Sequence, residues 1–191
     1  MKLVFASHNQ GKVNEAKVIL AGVDFQILSL NDCEITEEVE ETGQTFADNA
    51  LLKAQFYAQL CDANTVADDS GLEIMALNGW PGVNSARFIS GTDADRVKAV
   101  LKKMVGHQDR RAQFKTVICL VMKDRPPQFF EGVIKGQLAQ QPTGTNGFGY
   151  DPIFIPDGYD QPFAQLGMAV KNKISHRQQA LEKLKAYLLA L

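Results

Sequence analysis

The stretch LVFASHNQGKVNEAKVILAGVDFQILSL, residues 3–30, indicates the class of fold. Residues 3–6 form a short apolar run bounded by polar residues, which is typical of a buried strand. From Lys12 onward apolar residues recur on one helical face, and Gly22 ends that pattern. Residues 25–30 form a second apolar run. A strand, a helix and another strand within about 30 residues favour a parallel βαβ unit.

The rest of the chain predicts more strands and capped helices around this unit. Residues 65–67, 112–122 and 128–138 are expected as strands, residues 72–77 as extended, and residues 139–152 as a loop rich in glycine and proline. Helices are expected to begin at Thr45, at Thr92 or Asp93, and at Ser175. The order predicts an α/β fold with a mixed sheet. A chain of 191 residues fits one domain or a closely joined pair of lobes.

Composition argues against several classes of protein. A net charge of −2 without a basic stripe disfavours nucleic acids and anionic membranes as partners. Cys33, Cys61 and Cys119 are too far apart in sequence to indicate a disulfide framework or a zinc site. The apolar run at the N-terminus is too short for a signal peptide or a membrane span. We therefore expect a soluble, cytoplasmic protein that binds neither nucleic acid nor membrane.

The loop SHNQGK, residues 7–12, joins the first strand to the first helix. Free backbone N–H groups and the positive end of the helix dipole favour an anion at such a place. Ser7, Asn9 and Lys12 add hydroxyl, amide and ammonium donors. The loop is not a Walker motif, because its first glycine and the Ser or Thr after the lysine are missing. Two interpretations stay open: a phosphate site and an ordinary strand–helix turn.

Carboxylates are expected at one edge of the sheet. Asp68 and Asp69 follow the strand predicted at 65–67. Glu41 precedes the helix predicted to begin at Thr45. Adjacent carboxylates repel each other, and burying them is costly unless a cation compensates. Oxygen ligands without nearby Cys or His suit Mg²⁺, which binds through one or two carboxylates and substrate phosphates. The alternative, a solvated acidic loop, stays open for most of residues 34–41.

Two further segments contain candidate ligand contacts. Lys53 is a second possible cation, or an ordinary surface lysine. In GTNGFGYDPIF, residues 144–154, three glycines surround Phe148, so its ring could stack on a planar base while Asp151 accepts from a ring N–H. The alternative is a Gly-rich hairpin or bulge with the Phe148 ring buried in the core.

The helix predicted from Ser175 begins with unfavourable charges. His176 and Arg177 place potential cations at the positive end of the helix dipole, and Lys171 lies just upstream. A local violation of this kind is typical of functional positions, where the donors would meet carbonyl or phosphate oxygens. An exposed, fraying first turn is the alternative.

Taken in order, these segments resemble the inosine triphosphate pyrophosphatase family, hydrolases that clear deaminated purine nucleotides. The matching stretches are SHNQGKVNE, EETGQTFADNALLKA, ADDSGLEI with LNGWPGVNSARF, GTNGFGYDPIF and ISHRQQA, which span residues 7–180. The resemblance implies one domain over residues 1–191, an elongated α/β fold with a central mixed sheet, two lobes with a cleft between them, and a homodimer. His8 and Asn146 stand where glycine is frequent in relatives, which affects only fine loop geometry.

The resemblance also implies a role for each matching residue. The phosphate-binding loop is matched by Ser7, Asn9 and Lys12, and a second triphosphate contact by Lys53. Glu41 matches a metal-site carboxylate, and Asp69 matches the carboxylate that acts as metal ligand and general base, with Asp68 and Ser70 beside it. Phe148 matches the aromatic residue that stacks on the base. Base and nucleotide contacts are matched by Asp151, Lys171, His176 and Arg177.

These roles support one reaction, in which a nucleoside triphosphate and water give a monophosphate and pyrophosphate. Mg²⁺ near Glu41 and Asp69 would polarise the phosphate, and Lys12 with Lys53 would stabilise the leaving group. His176 and Arg177 would donate hydrogen bonds to the oxygen at position 6 of hypoxanthine or xanthine, whereas the amino group of adenine would face them with another donor. The rival hypotheses are a non-catalytic nucleotide-binding protein and a different metal-dependent phosphohydrolase.

Overall fold

The structure, a computed structural model, describes residues 1–191 and contains six strands and six α-helices. In chain order they are β1 Lys2–Phe5, α1 Gln10–Ile19, β2 Gln26–Ser29, α2 Phe46–Cys61, β3 Asn64–Ile74, α3 Asp93–Lys103, β4 Arg111–Val121, β5 Gln128–Leu138, β6 Phe154–Pro156, α4 Phe163–Leu166, α5 Met168–Ile174 and α6 His176–Leu189. None of the helices is both long and apolar enough to span a membrane.

All six strands belong to one mixed sheet with the order β2-β1-β3-β4-β5-β6. β1 pairs in parallel with both β2 and β3, so that Phe5 lies opposite Ser29 on one side and Val66 on the other. β5 and β6 are antiparallel. The α/β class, the mixed sheet and the parallel βαβ unit predicted from residues 3–30 are confirmed.

The chain forms two compact units. The first unit comprises residues 1–69, 116–132 and 177–191, and the second comprises residues 70–115 and 133–176. The long strands β3, β4 and β5 each contribute residues to both units. That the whole chain acts as one domain stays a prediction.

The core of the first unit forms around β1, α1 and α6. Val13, Ala16 and Leu20 face this core from α1 and are at most 1% exposed, as their helical spacing predicts. The side chain of Asn9 caps α1 by accepting a hydrogen bond from the Lys12 N–H at 3.2 Å. Burial of the apolar stripe therefore fixes where the loop 7–12 lies at the end of β1.

Helices α2 and α3 begin at capping boxes. Thr45 and Asp48 exchange hydrogen bonds at the start of α2, as predicted, and Thr92 and Asp95 do the same at the start of α3. Each box satisfies N–H groups that the helix itself leaves without partners. These caps set the positions of the side chains that α2 and α3 contribute below.

The second unit has an aromatic core. The rings of Phe114 and Phe154 lie 4.5 Å apart between centroids, and Phe154 lies 5.7 Å from Phe163. Trp80 packs against this core and meets the ring of Phe88 edge-on at 4.7 Å. Trp80 therefore has a packing role within its own unit.

Strand β3 is longer than the sequence indicates. It continues through Asp68 and Asp69 to Ile74, so the two carboxylates lie inside an 11-residue strand and not after its end. Residues 75–77, expected as extended, form a turn of 3₁₀-helix. The short helices α4 and α5 were not predicted, because four and seven residues are too few to show a helical apolar period.

Candidate functional site

A buried chain of alternating charges lies in the first unit. Asp68 is 2% exposed, and its Oδ2 lies 2.9 Å from the Lys12 Nζ and 3.6 Å from the Arg177 Nε. The Nη1 of Arg177 donates to the Glu15 Oε2 at 2.8 Å. Helix α1 supplies Lys12 and Glu15, and α6 supplies Arg177. The positive partners of Asp68 therefore come from the chain itself.

These partners determine how Asp68 ionises. Burial raises the pKa of the Asp68 carboxyl, but the charges of Lys12 and Arg177 more than offset it and hold that pKa well below its usual range. Burial lowers the pKa of Lys12, and the charge of Asp68 opposes this change. The cations that compensate the buried Asp68 are therefore Lys12 and Arg177, and Asp68 needs no incoming ion.

Asp69 faces a second cluster, which α2 positions. Its Oδ2 accepts a hydrogen bond from the Asn49 Nδ2 at 3.0 Å, and its Oδ1 lies 3.9 Å from the Lys53 Nζ. Lys53 also donates to Glu41. Because Asn49 and Lys53 are four residues apart, they project from the same face of α2. The predicted residues Glu41, Lys53 and Asp69 are thus brought together.

Asn49 joins this cluster to the loop that carries Glu41. Its Oδ1 accepts from the Gly43 N–H at 2.7 Å, and the side chain is fully buried. A Cβ at position 43 would lie 2.6 Å from that same Oδ1, so the close approach requires glycine. The side-chain amide of Asn49 therefore holds in place both the loop that carries Glu41 and the carboxylate of Asp69.

The environment of Asp69 differs from that of Asp68. Burial raises the pKa of the Asp69 carboxyl; Lys53 opposes the increase, and Glu41 adds to it. A carboxylate whose pKa is displaced toward neutral pH is suited to accept a proton from water. The two adjacent aspartates therefore have opposite pKa shifts.

Glu41 and Asp69 form a partial set of ligands for a hard cation. Both lie within ion-pair distance of the Lys53 ammonium. No group of three or more His, Cys, Asp or Glu side chains is arranged to hold a metal ion. Two carboxylates fit Mg²⁺ when substrate phosphates and water supply the remaining ligands. The residues present are compatible with a metal that arrives with its substrate.

We expect Asn49→Ala to lower the free energy of unfolding by about 1–3 kcal/mol, because the Gly43 N–H loses a buried acceptor. Urea denaturation measures the change. Asn14→Ala is the matched control, since Asn14 is exposed on α1 and accepts a hydrogen bond from Gln10. Equal losses in the two variants would contradict the bridging role of Asn49.

The loop 7–12 uses its polar side chains within the protein. The Ser7 Oγ accepts from the Asn9 N–H at 3.2 Å, Asn9 caps α1, and Lys12 is paired with Asp68. The first two contacts shape a strand–helix turn, and the third links that turn to β3. Phosphate binding by Ser7, Asn9 and Lys12 stays a prediction.

The second unit contains a cluster built from two predicted segments. Asp151 is 1% exposed, and its Oδ2 accepts from the Phe148 N–H at 2.9 Å and from the Lys171 Nζ at 2.5 Å. The Lys171 Nζ also lies 4.2 Å from the centroid of the Phe148 ring, in a cation–π contact. Phe148 is only half-buried, so the alternative of a core phenylalanine is wrong.

Glycine at position 147 makes this turn possible. A Cβ there would lie 2.0 Å from the Asp151 Oδ2, and the residue has a φ of +81°. The glycines around Phe148 therefore allow Asp151 to approach the backbone of the turn.

His176 and Arg177 are neighbours in sequence but have different surroundings. His176 packs on the aromatic core of the second unit, and Arg177 belongs to the buried charged chain of the first. His176 is 4% exposed and stacks on Phe114 with 5.0 Å between ring centroids. Arg177 is 2% exposed within the charged chain described above. The alternative of an exposed, fraying first turn is therefore wrong. Their contacts with a base, and those of Ser70, which is half-buried in β3, stay predictions.

Sequence reasoning missed Glu15 and Asn49. Both are polar residues on helix faces that otherwise carry buried apolar side chains. A polar residue on such a stripe is the signal that could have identified them, because buried polar groups need partners.

The chain is similar over almost its full length to proteins of one family. The model of the Ham1 family matches residues 3–187. A dITP/XTP pyrophosphatase of Thermoanaerobacter pseudethanolicus is 45% identical over 193 residues, covering 99% of this chain and 97% of that protein. A dITP/XTP pyrophosphatase of Staphylococcus aureus is 42% identical over 189 residues, covering 98% and 96%.

Solved structures agree with these relatives. The Staphylococcus aureus Ham1 protein has a TM-score of 0.91 and 41% identity, covering 100% of this chain and 99% of that chain. A HAM1 protein from Coxiella burnetii has a TM-score of 0.93 and 39% identity, and both chains are fully covered. The similarity therefore includes the β-strands and helices that carry every cluster described above.

Proposed function

The chain belongs to the Ham1 family, and we propose that it is a nucleoside triphosphate pyrophosphatase that hydrolyses deaminated purine nucleotides. Its substrates are inosine, deoxyinosine and xanthosine triphosphates (ITP, dITP and XTP), and its products are the monophosphate and pyrophosphate. The observation that carries the proposal is the cluster of Glu41, Lys53 and Asp69 around the buried amide of Asn49. The reaction clears these nucleotides from the pool.

Asp69 acts as the general base in this proposal. Asn49 holds the Asp69 Oδ2 in place, and in this role the carboxylate orients a water molecule and takes its proton. The raised pKa of the Asp69 carboxyl makes the proton transfer from water more favourable than it would be to an ordinary aspartate.

Lys53 and Lys12 balance the negative charge of the triphosphate. The ammonium of Lys53 is already held between Glu41 and Asp69, so it is oriented before a phosphate arrives. Lys12 is fixed by Asp68 at the end of the loop 7–12, where backbone N–H groups favour an anion. Both cations stabilise the charge that develops on the leaving pyrophosphate.

Glu41 and Asp69 would hold Mg²⁺, which would neutralise phosphate charge and polarise the phosphorus. Lys53, which lies beside both carboxylates, would keep them in place for that ion. The chain's own contribution is to keep Glu41 and Asp69 close together through Lys53 and Asn49.

The second unit supplies groups suited to a purine. The half-buried ring of Phe148 offers a stacking surface, and Asp151 can accept from a ring N–H. His176, the last residue of this unit, and Arg177, which follows it in sequence and belongs to the first unit, would donate to the oxygen at position 6, whereas adenine presents an amino group there. By the same family likeness, we propose a cytoplasmic homodimer.

We expect ITP, dITP and XTP to release pyrophosphate in the presence of Mg²⁺, and ATP to be hydrolysed on the order of 10⁴-fold less efficiently. A panel of these four triphosphates, assayed for pyrophosphate and orthophosphate, measures this. The same panel in EDTA is the control and should show no turnover.

The panel also separates the rival functions. Release of orthophosphate alone would identify a different phosphohydrolase, and binding of ITP without any product would identify a nucleotide-binding protein. Either result would overturn the proposed function.

A further inference from the structure

The turn that presents Phe148 is held by two carboxylates. Asp151 accepts a hydrogen bond from the Phe148 N–H at 2.9 Å, and Asp93 accepts one from the next amide, Gly149 N–H, at 2.7 Å. Asp93 is the first residue of α3 and lies 56 positions away in sequence. The backbone N–H groups of Phe148 and Gly149 are therefore bound to carboxylates from separate parts of the second unit.

Asp93 is itself held in place. Its Oδ1 accepts from the Arg96 Nη2 at 2.6 Å, and the Arg96 Nη1 donates to the Gly91 carbonyl at 2.9 Å. Burial raises the pKa of Asp93, but the contacts with Arg96 and Gly149 bring it below its usual value. The carboxylate is thus ionised at neutral pH, and such charge-assisted hydrogen bonds are stronger than neutral ones.

The turn that contains Phe148 lies beside a cavity. A cavity of about 650 Å³ is lined by α3, including Asp93, Val97 and Leu101, and by the turn that contains Phe148. Gly149 has a φ of +62°, which adds a flexible position directly after the ring. A ring beside open space, between two glycines, needs contacts outside its own segment to keep one orientation.

We infer that Asp93 is a positioning residue, which acts through the Gly149 N–H to hold Phe148 in the orientation that stacks on the substrate base. The inference rests on the proposed function, because it assigns Phe148 to the base. Asp93 acts through the backbone and needs no contact with the nucleotide.

A simpler role for Asp93 would be to stabilise the start of α3, where an acidic side chain is favourable. Asp95 provides a matched control for that role. It lies in the same first turn, carries the same charge and completes the capping box with Thr92. Asp95 accepts from Thr92, whereas Asp93 accepts from the Gly149 N–H.

The test compares Asp93→Ala with Asp95→Ala. We expect Asp93→Ala to raise KM for dITP about tenfold with kcat nearly unchanged, because a charge-assisted hydrogen bond that orders the base site is lost. Inhibition by inorganic tripolyphosphate, which has no base, should stay at the wild-type level. Asp95→Ala should leave KM for dITP unchanged and lose only helix stability. Asp93→Asn has a single amide oxygen, which can accept from Gly149 but then gives up the Arg96 contact, so this variant should raise KM less than Asp93→Ala does.

Equal KM values for dITP in the two alanine variants would overturn the inference. A loss of tripolyphosphate inhibition in Asp93→Ala as large as its loss of dITP affinity would also overturn it.

Hydrogen exchange at the Gly149 amide gives a readout without substrate. Exchange should accelerate in Asp93→Ala and stay slow in Asp95→Ala, and unchanged exchange in both would also overturn the inference. If wild-type protein and Asp95→Ala both fail to hydrolyse dITP, the proposed function is wrong, and the exchange result alone decides the role of Asp93.

Discussion

Asp69→Asn is expected to lower kcat for dITP hydrolysis by roughly 10³-fold or more, because the amide cannot take a proton from water. The change keeps the size of the side chain, and its oxygen can still accept from the Asn49 Nδ2. The fold should therefore be retained, as near-UV circular dichroism would show. Single-turnover measurement of pyrophosphate release separates the chemical step from product release.

Asp62→Asn is the matched control for this experiment. Asp62 ends the same helix α2, is exposed, and has a φ of 44°, a conformation that asparagine tolerates. It should retain the wild-type kcat. A fully active Asp69→Asn variant would remove Asp69 as the base and leave the role of proton acceptor to another group.

Asp68→Ala is expected to lower the free energy of unfolding by about 3–5 kcal/mol, because it leaves the charges of Lys12 and Arg177 buried without their shared carboxylate. The Arg177 side chain is 2% exposed and that of Lys12 is 19% exposed, so water can compensate little for the lost partner. Urea denaturation at neutral pH measures the loss.

An exposed ion pair serves as the comparison for Asp68. Asp32 lies 3.0 Å from Lys17, and both side chains are about two-fifths exposed. Asp32→Ala should have a much smaller effect, because exposed pairs contribute little to stability. A similar small loss in Asp68→Ala would mean that water reaches Lys12 and Arg177, which contradicts their burial.

Local signals predicted much of the fold. The βαβ unit follows from apolar periodicity, and the starts of α2 and α3 follow from Thr45 and Thr92, because capping involves residues within one turn. The continuation of β3 through Asp68 and Asp69 could not be predicted in this way. A strand accepts buried charges only when distant residues neutralise them, and here Lys12 and Arg177 do so.

The candidate site shows the same division between local and distant information. The motif around Phe148 predicted Asp151 as a site residue, since both lie in one Gly-rich segment. That Lys171 would pair with Asp151 depends on how α5 packs, which no local pattern reveals. Glu15 was missed because a glutamate in a helix normally faces solvent, and its partner Arg177 lies near the other end of the chain.

The path of β3 explains how one dipeptide can perform two tasks. Successive side chains of a strand point to opposite faces of the sheet, so Asp68 turns toward α1 and α6 while Asp69 turns toward α2. Two carboxylates one residue apart therefore have different partners: Asp68 is paired with fixed cations, and Asp69, the proposed base, is held by Asn49. The charge of Asp68 still adds to the raised pKa of Asp69. A slip of one residue in the pairing of β3 would exchange the two, placing the proton acceptor against fixed cations and the inert aspartate beside Lys53. Strand register is thus as much a determinant of the chemistry as the identity of either aspartate.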